Sequence, residues 1–218
     1  MTLLSSAATS NKQITMDNFI ISIGREYGAG GRTVAARIGE KLGLPVYDDS
    51  LLQEVAKEYG YSPDIFKKVD EKHHLFSLSR LFSTNSWNAS NYMGDNMLFQ
   101  MQCQAIRDIA AKGPCVIVGR CANYVLRDMD NVVSVFLTSS LDIRVERVMR
   151  RKNLDRSEAR KIIARKDSKR EDFYNCYTLG HWGRASEYDL CLDSSVLGID
   201  GTADVIISFA QKAEKHRR

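Results

Sequence analysis

Apolar positions along this chain follow two regimes in turn: short continuous runs, then stretches in which they recur every three or four residues. Phe19 to Gly24 is the first run, and Val34, Ala35, Ile38 and Leu42 then mark a helix from Arg32 to Leu42 that Gly43 stops. Leu44 to Asp48 predicts a short second strand, after which Asp49 or Ser50 caps a helix through Lys57 that ends near Gly60. A helix from about Asp95 to Lys112, broken by Gly113-Pro114, leads into a third strand, Cys115 to Gly119. Val132 to Leu137 is the fourth strand and Tyr188 to Asp193 the last, with Ser194-Ser195 as a loop at its edge and Thr202 capping a closing amphipathic helix. Between those two strands lie a helix from Leu141 and one from Ser157 to Phe173, with Asp155 or Ser157 near its cap. Strands alternating with helices read as an α/β protein.

The turn between the first strand and its helix carries chemistry. Gly24-Arg25-Glu26-Tyr27-Gly28-Ala29-Gly30-Gly31-Arg32-Thr33 places four glycines in eight residues between strand and helix. Glycines there let backbone N–H groups crowd around an anion that also sits at the positive end of the helix dipole. A purely structural turn has the same composition. Aligning Gly28-Ala29-Gly30 with the glycines of a P-loop puts Gly31 where the lysine belongs and Arg32 where a hydroxyl usually stands. Arg32 is therefore a replacement cation displaced by one position, and Arg25 at the strand's exit is the other candidate.

Charge changes the picture further down the chain. The net charge is only +4, yet between Arg144 and Arg170 twelve Lys/Arg face four carboxylates, so an anionic ligand is engaged at one place. In the helix from Leu141, apolar Leu141, Val145, Val148 and Met149 oppose Arg144, Arg147 and Arg151. In the next helix Lys166 and Arg170 fall on the apolar side of Ala159, Ile162 and Ile163, with Asp167 on its margin. Charges on an inward stripe are costly unless paired or ligated, so Asp167 and Arg170 read as substrate-facing, against snorkelling side chains on a solvated helix. Arg120, delivered by the third strand, reads as an anion ligand in preference to a surface ion pair. Asp48 and Asp49, past the second strand, contact a substrate or a hydrated magnesium ion, unless one is only a cap.

Residues 1–17 are small and polar and read as a disordered tail, without the basic start and apolar centre of a signal peptide. Residues 18–218 form a single domain in which 61–112 is an insert with a Ser/Asn-rich middle. Its Phe76, Leu78, Leu81, Phe82 and Trp87 either close over a base or serve as the insert's own small core or a homodimer contact. Trp182, between Gly180 and Gly183, stacks on a base or covers the core. At 218 residues, 44% hydrophobic, the chain buries a substantial core. Five cysteines without a CxxC pair and four histidines without ligand spacing predict reduced thiols and no structural zinc. No apolar run approaches the roughly 20 residues that span a bilayer, so the expectation is a soluble, cytoplasmic protein without a membrane partner.

Ile20 to Thr33, Val116 to Arg120, Arg165 to Arg170 and Leu192 to Ser195, in that order, resemble bacterial cytidylate kinases, and more closely the divergent cytidylate kinase-like family. The likeness runs from Phe19 onward. It implies a three-layer P-loop kinase fold: a five-stranded parallel sheet with helices on both faces, an acceptor-side helical insert (61–112) and a basic lid (141–176). It implies γ-phosphoryl transfer from ATP, with Mg2+ on the donor phosphates, to a small phosphorylated acceptor, above all a nucleoside monophosphate such as CMP. Cytidylate kinases read GAGKGT where this chain reads Gly28-Ala29-Gly30-Gly31-Arg32-Thr33, and their Asp-Ser-x-Arg pattern matches Asp167, Ser168 and Arg170. Their aspartate after the third-strand arginine is Cys121 here, which bears on the choice of base.

By that resemblance Arg32, Arg120, Arg147 and Arg170 are the catalytic cations. Arg25, Gly28, Ala29, Gly30, Gly31, Arg32, Thr33, Arg144 and Arg151 hold the nucleotide, and Asp48, Asp49, Arg120, Asp167 and Arg170 the acceptor. A regulatory nucleotide-binding protein without turnover would share these motifs, and so would a kinase for another small molecule. No nucleic-acid fold signature accompanies the basic segment, so nucleic acid is not an expected partner.

Overall fold

The structure, a computed structural model, describes residues 19–48, 60 and 89–217. Five strands, β1 (Ile20–Arg25), β2 (Val46–Tyr47), β3 (Cys115–Val118), β4 (Val132–Thr138) and β5 (Leu190–Asp193), form one parallel sheet in the order β2-β3-β1-β4-β5. The order places β1 at the centre, where both faces are covered and an uninterrupted apolar run is the stable composition. The C-terminal ends of β1, β3 and β4 therefore open side by side, which is where ligands bind in open α/β sheets.

Alternation along the strands divides the core. Ile21, Ile23, Val116, Val118, Val133, Val135 and Leu137 face α1 (Gly31–Leu42) and α6 (Ser194–Arg217). Ile20, Cys115, Ile117 and Val132 face α2 (Ala89–Ala111), α3 (Ala122–Val125) and the end of α5 (Arg156–Thr178). Each fully buried Ile or Val contributes roughly 1.5–3 kcal/mol, so these two layers carry the fold. A third, small core of Val145, Val148, Ala159 and Ile163 joins α4 (Leu141–Lys152) to α5, with Tyr27 packed against it.

Local rules explain the ends. Gly43 closes α1 in a left-handed conformation, its N–H bonded to Gly39 O. Of the two candidate caps for α5, Asp155 is the cap, in a reciprocal box with Glu158. Two expectations are corrected at the last helix. Ser194 and Ser195 are not a loop: Asp193 accepts from the Ser195 N–H (2.7 Å), and the chain turns directly into α6. Thr202 is not a cap but lies inside α6, its hydroxyl bonded to the carbonyl of Gly198, where the helix is broken. Among the described residues no helix is long and apolar enough to cross a membrane. The tail (1–17), the helix expected from Ser50 to Lys57 and the insert's Phe76 to Trp87 lie outside the described residues.

Candidate active site

After Arg25 the chain leaves the sheet, turns through Glu26 to Gly30 and enters α1 at Gly31. Gly28 and Gly30 hold φ of 89° and 85°, which glycine adopts without strain. Every carbonyl of the turn is held by the protein. Arg25 O accepts from Arg170 Nη1 (3.1 Å), Tyr27 O from Arg144 Nη1 (3.5 Å), Gly28 O from Arg147 Nη1 (3.3 Å) and Ala29 O from Ser194 Oγ (2.6 Å). Glu26 O takes the Ala29 N–H (3.3 Å) and Gly30 O the Val34 N–H (2.9 Å). The first N–H groups of α1 have no intrahelical acceptor, and they end on the cleft that Gly30, Gly31, Arg32 and Thr33 line. The result is a backbone anion cradle.

Behind the cradle lies an ionic cluster around buried Arg144, with Asp167 and Glu26 half-buried. Asp167 accepts from the Tyr27 N–H (2.6 Å) and from Arg144 Nη1 (2.6 Å), with Arg170 at 3.7 Å. Glu26 Oε2 accepts from Ser139 N (3.2 Å) and from the Thr138 hydroxyl, and stands 3.6 Å from Arg144. Burial pushes the Asp167 carboxyl above its ordinary range, and the hydrogen bonds from Tyr27 and Arg144 oppose that shift. Arg144 is not on an exposed face opposite the apolar one: it is buried, because it stands one turn before Val148 and shares that residue's side of α4. Asp167 is likewise engaged by the loop, and α5 turns it inward for that reason.

The cleft, of about 580 Å³, runs from the cradle past α5 to the turn after β3. Of the residues singled out from the sequence, Arg25, Gly28, Gly30, Gly31, Arg32, Thr33, Arg120, Arg151 and Arg170 line it together, joined by Lys152, Lys166 and Lys169. Ala29 is fully buried beneath it, while Arg144, Arg147 and Asp167 act from behind the loop. Arg32 Nε lies 3.2 Å from Asp48, so Asp48 meets the Gly-rich turn's arginine. Asp49 lies outside the described residues.

The far end of the cleft is built differently. Gly119, Arg120 and Cys121 all have positive φ (82°, 59° and 55°), a tight left-handed turn that non-glycine residues rarely adopt. Buried Gln102 of α2 reaches it, donating to Arg120 O at 3.3 Å. Cys121, Asn123, Tyr174, Trp182 and Tyr188 form the wall beyond. Asn123 donates to the Tyr174 hydroxyl (2.9 Å), and burial raises the pKa of both tyrosines. Trp182 packs edge-on to Phe136 at 5.3 Å and also lines the cleft, so it both covers the core and faces the site. Sequence reasoning read Tyr174 with Trp182 as an aromatic plug at a hinge but missed Asn123 and Tyr188, whose only signal was their place beside Arg120 and just before β5.

Among the described residues no three His, Cys, Asp or Glu side chains converge as a metal cage. The Thr33 hydroxyl, on the first turn of α1, lines the cleft and is an oxygen donor of the kind a nucleotide-borne divalent cation would use.

Comparison with known proteins adds the lineage. Residues 20–196 match the model of the cytidylate kinase-like family. The chain is similar to the cytidylate kinases of Methanocaldococcus jannaschii (27% identity, covering 90% of this chain and 99% of that one) and Methanopyrus kandleri (28%, covering 86% and 90%). Among solved structures it resembles an uncharacterized protein from Eubacterium ventriosum, with 30% identity, a TM-score of 0.69 and coverage of 88% and 98%. Shikimate kinase from Bacteroides thetaiotaomicron, at 13% identity, TM-score 0.51 and coverage of 88% and 98%, shares the P-loop kinase fold.

Proposed function

The chain belongs to the cytidylate kinase-like family, and on that premise we propose that it transfers the γ-phosphoryl group of ATP to the phosphate of a small acceptor, a nucleoside monophosphate such as CMP. One observation carries the reading: a backbone anion cradle with its carbonyls turned onto protein partners opens on the same cleft as Arg25, Arg120, Arg151, Lys166, Lys169 and Arg170.

Phosphoryl transfer asks the protein mainly for positioning and positive charge. The N–H groups at the start of α1 receive the donor phosphates, and Arg151, Lys166 and Lys169 close on them from α4 and α5. Arg120 and Arg170 take the acceptor phosphate, the first held by the left-handed turn after β3 and the second tied to Arg25 O. Beyond Arg120 the Asn123–Tyr174–Trp182–Tyr188 wall offers an aromatic, partly polar surface to the acceptor's ring. Mg2+ bound with the nucleotide would supply charge to the β- and γ-phosphates. The nucleophile is already a phosphate oxygen, so no side chain must remove a proton.

A coupled assay of ADP release, with ATP and Mg2+ across monophosphates, nucleosides and small hydroxyl acceptors, tests this. Turnover with a nucleoside monophosphate and none with the matching nucleoside is the expected result. Nucleotide binding without turnover on any acceptor would replace it with a regulatory role, and turnover on an unphosphorylated acceptor with a different small-molecule kinase.

A further inference from the structure

We infer that Arg25, rather than Arg32, supplies the charge on the transferring phosphoryl group that a P-loop lysine ordinarily provides, reaching it along a trough formed by Gly31 and Gly119. This rests on the phosphoryl-transfer reading above.

Arg25 is the last residue of β1 and only 9% exposed, yet it lines the cleft. Its aliphatic stem runs past Gly31: a Cβ there would lie 3.0 Å from Arg25 Cβ and 2.8 Å from Cγ, closer than real Cβ atoms pack. Its guanidinium rests on Gly119, where a Cβ would fall onto Nη1 and 2.8 Å from Cζ. Two glycines, one on α1 and one after β3, thus leave room for one arginine. The P-loop lysine position, aligned on the glycines, is Gly31 itself. A side chain at Gly31 and the stem of Arg25 would compete for one space, so the cation reaches the cradle from the strand instead of the helix.

The placement suits the chemistry. Gly119 precedes Arg120, so the Arg25 guanidinium lies between the donor cradle and the acceptor end. The bond from the γ-phosphorus to the bridging oxygen of ADP breaks there as the bond to the acceptor phosphate oxygen forms. Arg32, at the rim of the cleft, has a side chain 59% exposed to solvent and paired with Asp48.

The test compares wild type with Arg25→Ala, Arg25→Lys, Arg32→Ala, Gly31→Lys and the double variant Arg25→Ala/Gly31→Lys. Readouts are kcat, KM for ATP, calorimetric affinities for ATP and ADP, and thermal unfolding. Arg25→Ala should lower kcat by ~10² to 10³ and weaken ATP more than ADP, since the missing charge faces the γ-phosphate. Arg25→Lys should keep part of the rate, and Arg32→Ala should lose less than Arg25→Ala. Gly31→Lys alone should be impaired, whereas the double variant should regain at least ~10-fold over Arg25→Ala, its lysine entering the vacated trough. Folded Arg25→Ala with kcat within about threefold of wild type, or a larger loss in Arg32→Ala, overturns the inference. Wild type without turnover on any acceptor defeats the phosphoryl-transfer reading instead. The ATP-to-ADP affinity ratio then decides the role of Arg25, and an unchanged ratio in Arg25→Ala overturns it.

Discussion

At the loop end of the cleft the Gly-rich turn offers a ligand backbone, fixed from behind by Arg144, Arg147 and Ser194 and ringed by cations. At the end beyond Arg120 it is side chains: an arginine on a left-handed turn, an amide, a cysteine and three aromatic rings. Backbone cannot be altered by substitution, so damage to the loop itself, as distinct from the cations around it, comes through the residues that brace it and registers as lost stability. Damage to the second end should register in acceptor recognition with the fold intact.

The strongest way to break this contrast is Arg144→Ala, which takes the buried cation from half-buried Asp167 and Glu26 and leaves Asp167 only Arg170, 3.7 Å away. A loss of about 2–4 kcal/mol in urea unfolding is expected, below that of a fully buried pair because both carboxylates keep partial access to water. Arg144→Met combined with Asp167→Asn, which removes both charges and keeps an acceptor for the Tyr27 N–H, should recover much of it. If Arg144→Ala instead unfolds like wild type, the loop does not depend on its bracing.

Arg120→Ala makes the complementary case. On the proposed reading it deletes a charge-assisted contact to the acceptor worth about 1.5–3 kcal/mol, so the KM of the acceptor should rise roughly 10- to 100-fold while KM for ATP and the melting temperature hold. A drop in melting temperature with unchanged KM would move Arg120 into the structural class.

Alkaline pH should separate the two cores. The layer behind the acceptor end contains Cys103 and Cys115, whose thiols burial pushes up to about 11 and about 12 from 9.0, whereas the layer against α1 and α6 holds no buried cysteine. Above pH 9 the unfolded chain releases these protons first, so stability falls as pH rises toward the folded values, by up to about 1.4 kcal/mol per pH unit for each thiol. Urea midpoints at pH 8 and 10 read this, and Cys115→Val should flatten the slope. Iodoacetamide at pH 8 should label exposed Cys176 before either buried thiol.

The smallest effect belongs to Ser194→Ala. It removes the donor to Ala29 O and the acceptor for Arg147, at a cost of about 1 kcal/mol, seen as a modest shift in the urea midpoint. No shift would mean that Arg147 alone holds that part of the loop.

The strand–helix alternation and the Gly-rich turn are written in local patterns, so β1, α1, β3, β4 and α5 are legible from the chain. So is the gathering of Arg25 and Arg120 at the ends of neighbouring strands, which follows from topology. The fate of Arg144 is not, because a helical wheel ranks residues by angle and cannot show that a carboxylate 23 positions away waits on the next helix. Asp167 was legible as inward-facing but not as the partner of a backbone N–H on the loop, a contact spanning 140 residues. Arg25 was the hardest case, since its path depends on the absence of side chains at Gly31 and Gly119, two positions far apart in sequence that meet only after the sheet has formed.

The six held carbonyls of the Gly-rich turn also bear on the thermodynamics of association. A loop that had to order itself around a phosphate would give up conformational entropy on binding and respond slowly. Here the ordering is done when the chain folds. Nucleotide should therefore meet a rigid receptor, with an association rate governed by diffusion and charge, steeply reduced by salt, and little of the heat signature of coupled folding at this end of the molecule.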